Sequence, residues 1–183
     1  IMILLYDTAI RIAELLELKI SSLKLTSVPS IHIHGKGDKE RSVSITDATV
    51  SHLKKYLRQF HPEMLPDQPL FYTKIKGSIA PMSPGNVSRI INKYADAIRP
   101  EHPNLPKHLH CHMFRRTRAT GLYRNGVELE MISVILGHSS TETTRIYATP
   151  SIEMLEEAMN TANSTIPDET PEWEENEDEL ARI

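Results

Sequence analysis

Three short segments in the C-terminal half combine proton-transfer groups, cations and a nucleophile at fixed spacings. They are His112-Met113-Phe114-Arg115, Leu136-Gly137-His138, and Tyr147, nine residues beyond that histidine. On a helix His112 and Arg115 stand at i and i+3, so an imidazole and a guanidinium face one side and could address a single phosphate. His138 follows a glycine helix stop, at a bend from which a side chain projects into a cleft. Tyr147 is reached through a capped turn of helix. Taken singly, each has an ordinary explanation: a surface pair for His112 and Arg115, a core residue for Tyr147.

Positioning such groups requires elements, and hydrophobic periodicity supplies them. Leu4, Leu5, Ile12, Leu15, Leu16 and Leu18 recur at helical spacing and predict one buried helix. Ile31 and Ile33 alternate with His32 and His34, a Gly35-Lys36-Gly37-Asp38 turn follows, and Val43 and Ile45 alternate with Ser42 and Ser44, which predicts a hairpin. Thr46-Asp47 caps a helix running to about Phe60, with Val50, Leu53, Tyr56 and Leu57 on one face and His61-Pro62 as its stop. Leu70-Phe71-Tyr72 reads as a short strand, and Ser83-Pro84 opens a helix carrying Val87, Ile90, Ile91, Tyr94 and Ile98. From His112 a helix continues to Asn125-Gly126. The next carries Leu129, Ile132, Ile135 and Leu136 and ends at Gly137. Ser139-x-x-Glu142 predicts a capping box for a helix that includes Ile146 and Tyr147. Ile152, Leu155 and Met159 stripe a final amphipathic helix before Ile166-Pro167. The expected fold class is mainly α with a small antiparallel β-sheet, an α+β domain.

With 183 residues, 39% apolar and 25% charged, the chain is the size of a single globular domain. Its one cysteine, Cys111, cannot form an internal disulfide, so an oxidising compartment is not indicated and a cytoplasmic location is expected. The longest apolar run, Ile1 to Tyr6, is too short to span a membrane, and no basic segment precedes it. Because the first residue is Ile and helix begins there without an N-cap, the chain is expected to be an excised fragment.

Charge is unevenly spread. Residues 166–183 hold eight acids against Arg182, a net −7, which leaves residues 1–165 at +4. From Arg89 to Arg124 eight Lys or Arg face only Asp96 and Glu101, a segment where a polyanion could bind, although +4 alone is also an ordinary surface balance.

In order and together, H-x-x-R, L-G-H and the tyrosine nine residues later resemble the tyrosine recombinase (phage integrase) family. D-T-A-I-R-I-A-E-L resembles the segment holding that family's first catalytic arginine, and G-K-G-D-K-E-R its lysine-bearing hairpin, so the resemblance spans roughly residues 4–160. It implies that Arg11 and Arg115 are the arginine pair, Lys36 the hairpin lysine, His112 and His138 the two histidines, and Tyr147 the nucleophile. The implied function is a site-specific DNA recombinase or integrase, of bacterial or phage origin, that cuts and rejoins strands through a 3′-phosphotyrosine intermediate.

That chemistry explains the residue types. Breaking a phosphodiester without metal or water needs a covalent nucleophile and charge stabilisation from side chains. A phosphotyrosine link conserves the bond energy for resealing, so no cofactor and no metal are expected. Two guanidiniums can each give paired hydrogen bonds to the non-bridging oxygens. The resemblance makes Lys36 the candidate general acid for the departing 5′-oxygen, with Lys39 as its alternative. His112 would assist proton transfer at the tyrosine, His138 would hold a non-bridging oxygen, and Glu14, one turn after Arg11, would orient that guanidinium. Lys39, Arg41, Arg116 and Arg118 are the further candidate DNA contacts.

The family implies double-stranded DNA carrying a recombination site as partner, and tetramers on synapsed DNA, with no membrane. On this reading residues 1–165 form the catalytic domain, with an upstream DNA-binding domain missing, and residues 166–183 form an acidic tail. Residues 151–165 would dock on a neighbouring protomer, as family members' C-terminal helices do. Three features depart from the commonest pattern. Arg116 stands where a second histidine is frequent, Arg118 replaces a usually apolar residue, and Ala9 occupies a position often held by glycine, a change expected not to disturb a helix. The rival readings are a catalytically silent DNA-binding regulator, against which the six occupied positions argue, and a type IB topoisomerase-like enzyme, against which the L-G-H to tyrosine spacing argues. A metal site at His108, His110, Cys111 and His112 is disfavoured, because neighbouring residues point in different directions and no second ligand cluster follows.

Overall fold

The computed structural model describes residues 1–35, 39–150 and 152–163. Lys36 and the acidic tail therefore lie outside the described residues. The chain divides into two compact units, Ile1–Thr149 and Pro150–Ile183. Among the described residues no helix is long and apolar enough to cross a membrane.

The first unit is mainly helical with two small antiparallel sheets, as the periodicity predicts in class, although the expectation was a single sheet. Its elements are α1 (Met2–Thr8), α2 (Ile12–Glu17), β1 (Leu23–Lys24), β2 (Ser30–Gly35), β3 (Lys39–Ser44), α3 (Asp47–Phe60), β4 (Tyr72–Ile75), β5 (Ser78–Pro81), α4 (Pro84–Ile98), α5 (Cys111–Arg124), α6 (Leu129–Leu136) and α7 (Glu142–Arg145). The sheets are β1-β2-β3 and β4-β5. The second unit holds α8 (Ile152–Asn163).

Period-2 alternation turns Ile31 and Ile33 of β2 inward, where they meet Leu4, Leu5 and Leu15 of the first two helices, Val50, Leu53 and Leu57 of α3, and Val87 and Ile91 of α4. A second, smaller cluster joins Ala9, Ala119, Ile132, Leu136 and Tyr147, binding the start of the chain to α5 and α6. Thr46 caps α3, accepting from the Thr49 N–H, and its own N–H and hydroxyl donate to buried Asp7 of α1 at 2.8 and 3.0 Å.

Four local expectations are corrected. The opening segment is two helices, not one: Ala9 is left-handed, with φ 50° and ψ 28°, and the chain turns there before Arg11 caps α2. That is the physical reason a glycine suits the position. A left-handed L-residue costs about 1–2 kcal/mol, but glycine would lose about 0.5–1 kcal/mol more backbone entropy and about 0.8 kcal/mol of buried methyl. The terms nearly cancel, so alanine is tolerated. Leu70 and Phe71 are core residues preceding a strand that starts at Tyr72 and pairs with β5, a hairpin the periodicity did not reveal. Ser139 forms no capping box; Ser140 Oγ accepts the Glu142 N–H instead. Helix α7 stops at Arg145, so Tyr147 sits in the turn beyond it.

Candidate active site

The site is organised by the end of α6. Gly137 takes φ 63° and ψ 47°, its N–H reaches Val134 O, and the His138 N–H reaches Ser133 O at 3.0 Å, which closes the helix in a left-handed stop. A helix that ends this way leaves its last carbonyls without intrahelical partners and carries partial negative charge there. Three arginines from distant segments take three successive carbonyls. Arg41 Nε donates to Ile135 O at 3.2 Å, Arg115 Nη2 to Leu136 O at 2.8 Å, and Arg11 Nη2 to Gly137 O at 3.1 Å. Arg115 Nη1 also donates to Ala9 O at 2.6 Å, so the left-handed joint between α1 and α2 is tied to the same group.

Glu14, only 5% exposed, neutralises part of this charge. It accepts from Arg11 Nη1 at 2.9 Å and from the Arg11 N–H at 2.9 Å, and binds Arg41 through two bonds at 3.0 and 2.8 Å. Burial alone would push its carboxyl up, but the hydrogen bonds from Arg41 and Arg11 outweigh this and hold it below the ordinary range. Glu14 thus anchors two guanidiniums. Arg115 is buried, and burial, followed by the charge of Arg11, pulls its pKa down to about 10; it remains cationic at neutral pH. Of the five N–H groups on each of Arg11 and Arg115, these bonds occupy two.

His138 stands immediately beyond the three carbonyls. Its Nδ1 lies 2.9 Å from the hydroxyl of buried Thr144, and its ring lies nearly parallel to Tyr147 with centroids 6.4 Å apart. Burial, then the charges of Arg115, Arg11, Arg41 and His112, lower its pKa to about 4, so the imidazole is neutral at pH 7. Tyr147 is 3% exposed and packs in the second cluster, close enough to Arg115 that a phenolate there favours the charged guanidinium. The core reading of Tyr147 therefore describes its packing, and the same burial sets it beside the arginines. His112 is exposed in the first turn of α5 and its charge is felt at His138.

Arg11, Arg115, His138, Tyr147 and Glu14 are thus brought together, with His112 near enough for its charge to act on His138, whereas Lys36 lies outside the described residues. Lys39 opens β3. Two of the expected DNA contacts are engaged within the fold. Arg41 spends its guanidinium on Glu14 and Ile135 O, and its side chain is 11% exposed. Arg118 turns back onto α1, 3.6 Å from Asp7 and over the Tyr6 ring, and its Nε is buried without a hydrogen-bond partner among the described residues. Arg99 likewise turns inward, donating to the carbonyls of Leu105, Pro106 and Lys107. Arg89, Lys93, Lys107, Arg116 and Arg124 remain on the surface of the basic segment.

Sequence reasoning missed Thr144, although it lies only three residues before Tyr147, and it missed what Gly137 does besides ending α6. A Cβ there would stand 2.8 Å from Arg41 Nη1 and 2.9 Å from its Cζ, and φ is positive. Gly137→Ala is expected to displace Arg41 from Ile135 O and Glu14 and to destabilise the fold by about 2–3 kcal/mol. Chemical denaturation checks this; an unchanged midpoint would show that Arg41 moves aside freely.

His138 also predicts a pH dependence. Its folded pKa lies below the ordinary 6.5, so the unfolded chain binds the proton more readily. The stability it contributes is complete above about pH 6.5 and is lost progressively as pH falls toward 4. Thermal unfolding should show that loss in the parent and less of it in His138→Gln. Equal pH slopes for the two chains would exclude His138 as the cause.

The family model described as the phage integrase family matches residues 1–154. A tyrosine recombinase of Agathobacter rectalis is 40% identical over 145 residues, covering 79% of this chain and 44% of that protein. Among solved structures, XerA recombinase is 30% identical with a TM-score of 0.69, covering 87% of this chain and 54% of that one. XerH site-specific recombinase bound to its difH substrate is 30% identical with a TM-score of 0.65, covering 86% and 44%. The chain thus spans about half the length of the relatives it matches.

Proposed function

Because the chain belongs to the phage integrase family of tyrosine recombinases, we propose that residues 1–165 are a catalytic domain that cuts and rejoins DNA strands at a specific site through a 3′-phosphotyrosine intermediate. The observation that carries the reading is the meeting of Arg11 and Arg115, 104 positions apart in sequence, on the adjacent carbonyls of Gly137 and Leu136, beside His138 and Tyr147. A phosphate entering there takes the guanidinium N–H groups that the carbonyls and Glu14 do not occupy.

The Tyr147 oxygen attacks phosphorus while the bond to the 5′-oxygen breaks and that oxygen takes a proton, in this proposal from Lys36. Arg11 and Arg115 offset the charge gathering on the non-bridging oxygens. Neutral His138, with Nδ1 engaged by the Thr144 hydroxyl, offers Nε2–H to one of them. His112 accepts the phenol proton and returns it when the tyrosine leaves. A second strand's 5′-hydroxyl then attacks the phosphotyrosine, restoring the diester and the phenol. No external energy source enters, because one phosphoester replaces another.

Double-stranded DNA as partner is supported by the resemblance to the XerH site-specific recombinase bound to its difH substrate. Arg116, and Lys39 on the hairpin, are the remaining candidates for added phosphate contacts. Self-association into a tetramer is supported by α8, whose Ile152, Leu155 and Met159 are exposed along one stripe. The test of the catalytic reading is trapping on a nicked duplex that releases a short 5′-ended fragment after cleavage. A covalent adduct mapped by peptide mass spectrometry to Tyr147 is expected. DNA binding without adduct would leave the regulator reading in its place.

A further inference from the structure

Outside this constellation, the outer face of the β2-β3 hairpin carries a second group of side chains with chemistry of its own. Period-2 alternation sends His32 and His34 outward while Ile31 and Ile33 face the core. The register sets His34 directly opposite Glu40 and His32 opposite Ser42. His34 Nδ1 lies 2.9 Å from Glu40 Oε1, and His32 Nε2 lies 3.2 Å from Glu40 Oε2. The imidazole rings stand edge to face with centroids 5.0 Å apart. Among the described residues, this is the set of three in which one ligand atom from each lies within 4.8 Å of the others.

We propose that His32, His34 and Glu40 form a surface binding site for a borderline-soft divalent metal ion of the zinc type. Two ligand atoms about 2.0–2.1 Å from one ion stand about 2.9–3.4 Å apart, and the nitrogen–oxygen separations here already match that spacing. A carboxylate is an acceptor only, so each ring nitrogen that faces Glu40 either carries a proton or shares a cation with it. One divalent ion satisfies both rings at once, and binding releases the protons it replaces. Ser42 Oγ, 3.3 Å from His32 Nδ1, accepts that N–H and leaves Nε2 as the donor to the ion, the outer-sphere arrangement that orients metal-binding histidines. Two imidazoles and a carboxylate select zinc, nickel or copper over calcium or magnesium, which take all-oxygen sets.

The ion would clamp β2 to β3, the two strands that Lys36 lies between in sequence. If the catalytic proposal holds, it therefore stiffens the strands that flank the general acid. The binding itself is independent of that reading, and its test uses no DNA.

The full chain is titrated with Zn²⁺ in competition with a chromophoric chelator, and amide hydrogen exchange is followed with and without the ion. One equivalent is expected to bind with a dissociation constant on the order of micromolar. His34→Ala and Glu40→Gln should each weaken it by on the order of tenfold or more, while the His108→Ala/His110→Ala chain binds as the parent does. Zinc should also slow exchange in β2 and β3. These side chains are largely exposed, so the variants keep the parent far-UV spectrum. The proposal is overturned if His32→Ala/His34→Ala binds zinc as tightly as the parent, or if the parent leaves zinc with a weak chelator.

Discussion

Tyr147→Phe should fold, bind DNA with parental affinity and form no covalent adduct, lowering strand cleavage by at least about 10⁴-fold. The separation of these effects follows from where the ring lies. Tyr147 is buried among Ala9, Ala119, Ile132 and Leu136 and stacks near His138, and phenylalanine keeps that ring in place. Only the hydroxyl is lost, so stability should stay within about 1 kcal/mol of the parent. DNA affinity rests on many phosphate contacts, and one buried oxygen contributes little to it. The assay is adduct trapping beside a filter-binding or anisotropy titration of the same preparations. Adduct at the parental level would transfer the nucleophile to another tyrosine. Tyr123, partly buried against the same cluster, would be the first to map.

Much of this site was legible because its residues obey local rules. A glycine after an apolar helix predicts a stop, and Gly137 provides it. The i and i+3 relation of His112 and Arg115 predicts a shared side, and both act electrostatically on His138. The hairpin was legible from Ile31 and Ile33 alternating with histidines, and the two sheet faces separate as alternation requires. What escaped has a common cause: it depends on partners distant in sequence. Arg41 looks like any exposed strand cation until α6 delivers Ile135 O and α2 delivers Glu14. Arg118 is drawn inward by Asp7, which α3 has already turned into a buried acceptor. The break at Ala9 left no composition signal, because a left-handed alanine looks like a helical one in sequence. Its only trace was the resemblance, which implied a position often held by glycine. Ser140 replaced Ser139 at the start of α7 because a one-residue offset in a loop changes which hydroxyl reaches the first N–H, and sequence spacing does not resolve it.

Arg115→Lys separates charge from geometry at the centre of the site. The guanidinium reaches in two directions, to Ala9 O at 2.6 Å and Leu136 O at 2.8 Å, and a single ammonium on a flexible stem cannot hold both while also facing a phosphate. The joint between α1 and α2 would then lose its tie to the end of α6, at a cost of about 2–4 kcal/mol. Activity should fall by about 10²–10³-fold, the loss typical when one preorganised donor is removed from a developing oxyanion. The pH profile carries the further consequence. Burial and the neighbouring Arg11 charge pull the arginine down to about 10, and a lysine in the same surroundings starts from a lower intrinsic value, near 10.4. The same forces bring it toward neutrality close to physiological pH. Residual activity of the lysine variant should therefore decline as pH rises above neutral, because the deprotonated amine no longer offsets phosphate charge, while the parent shows no such decline. Single-turnover cleavage measured from pH 6 to 9 on both chains decides it. A lysine variant with parental rate and profile would mean that Arg115 braces the fold and that the phosphate is held elsewhere.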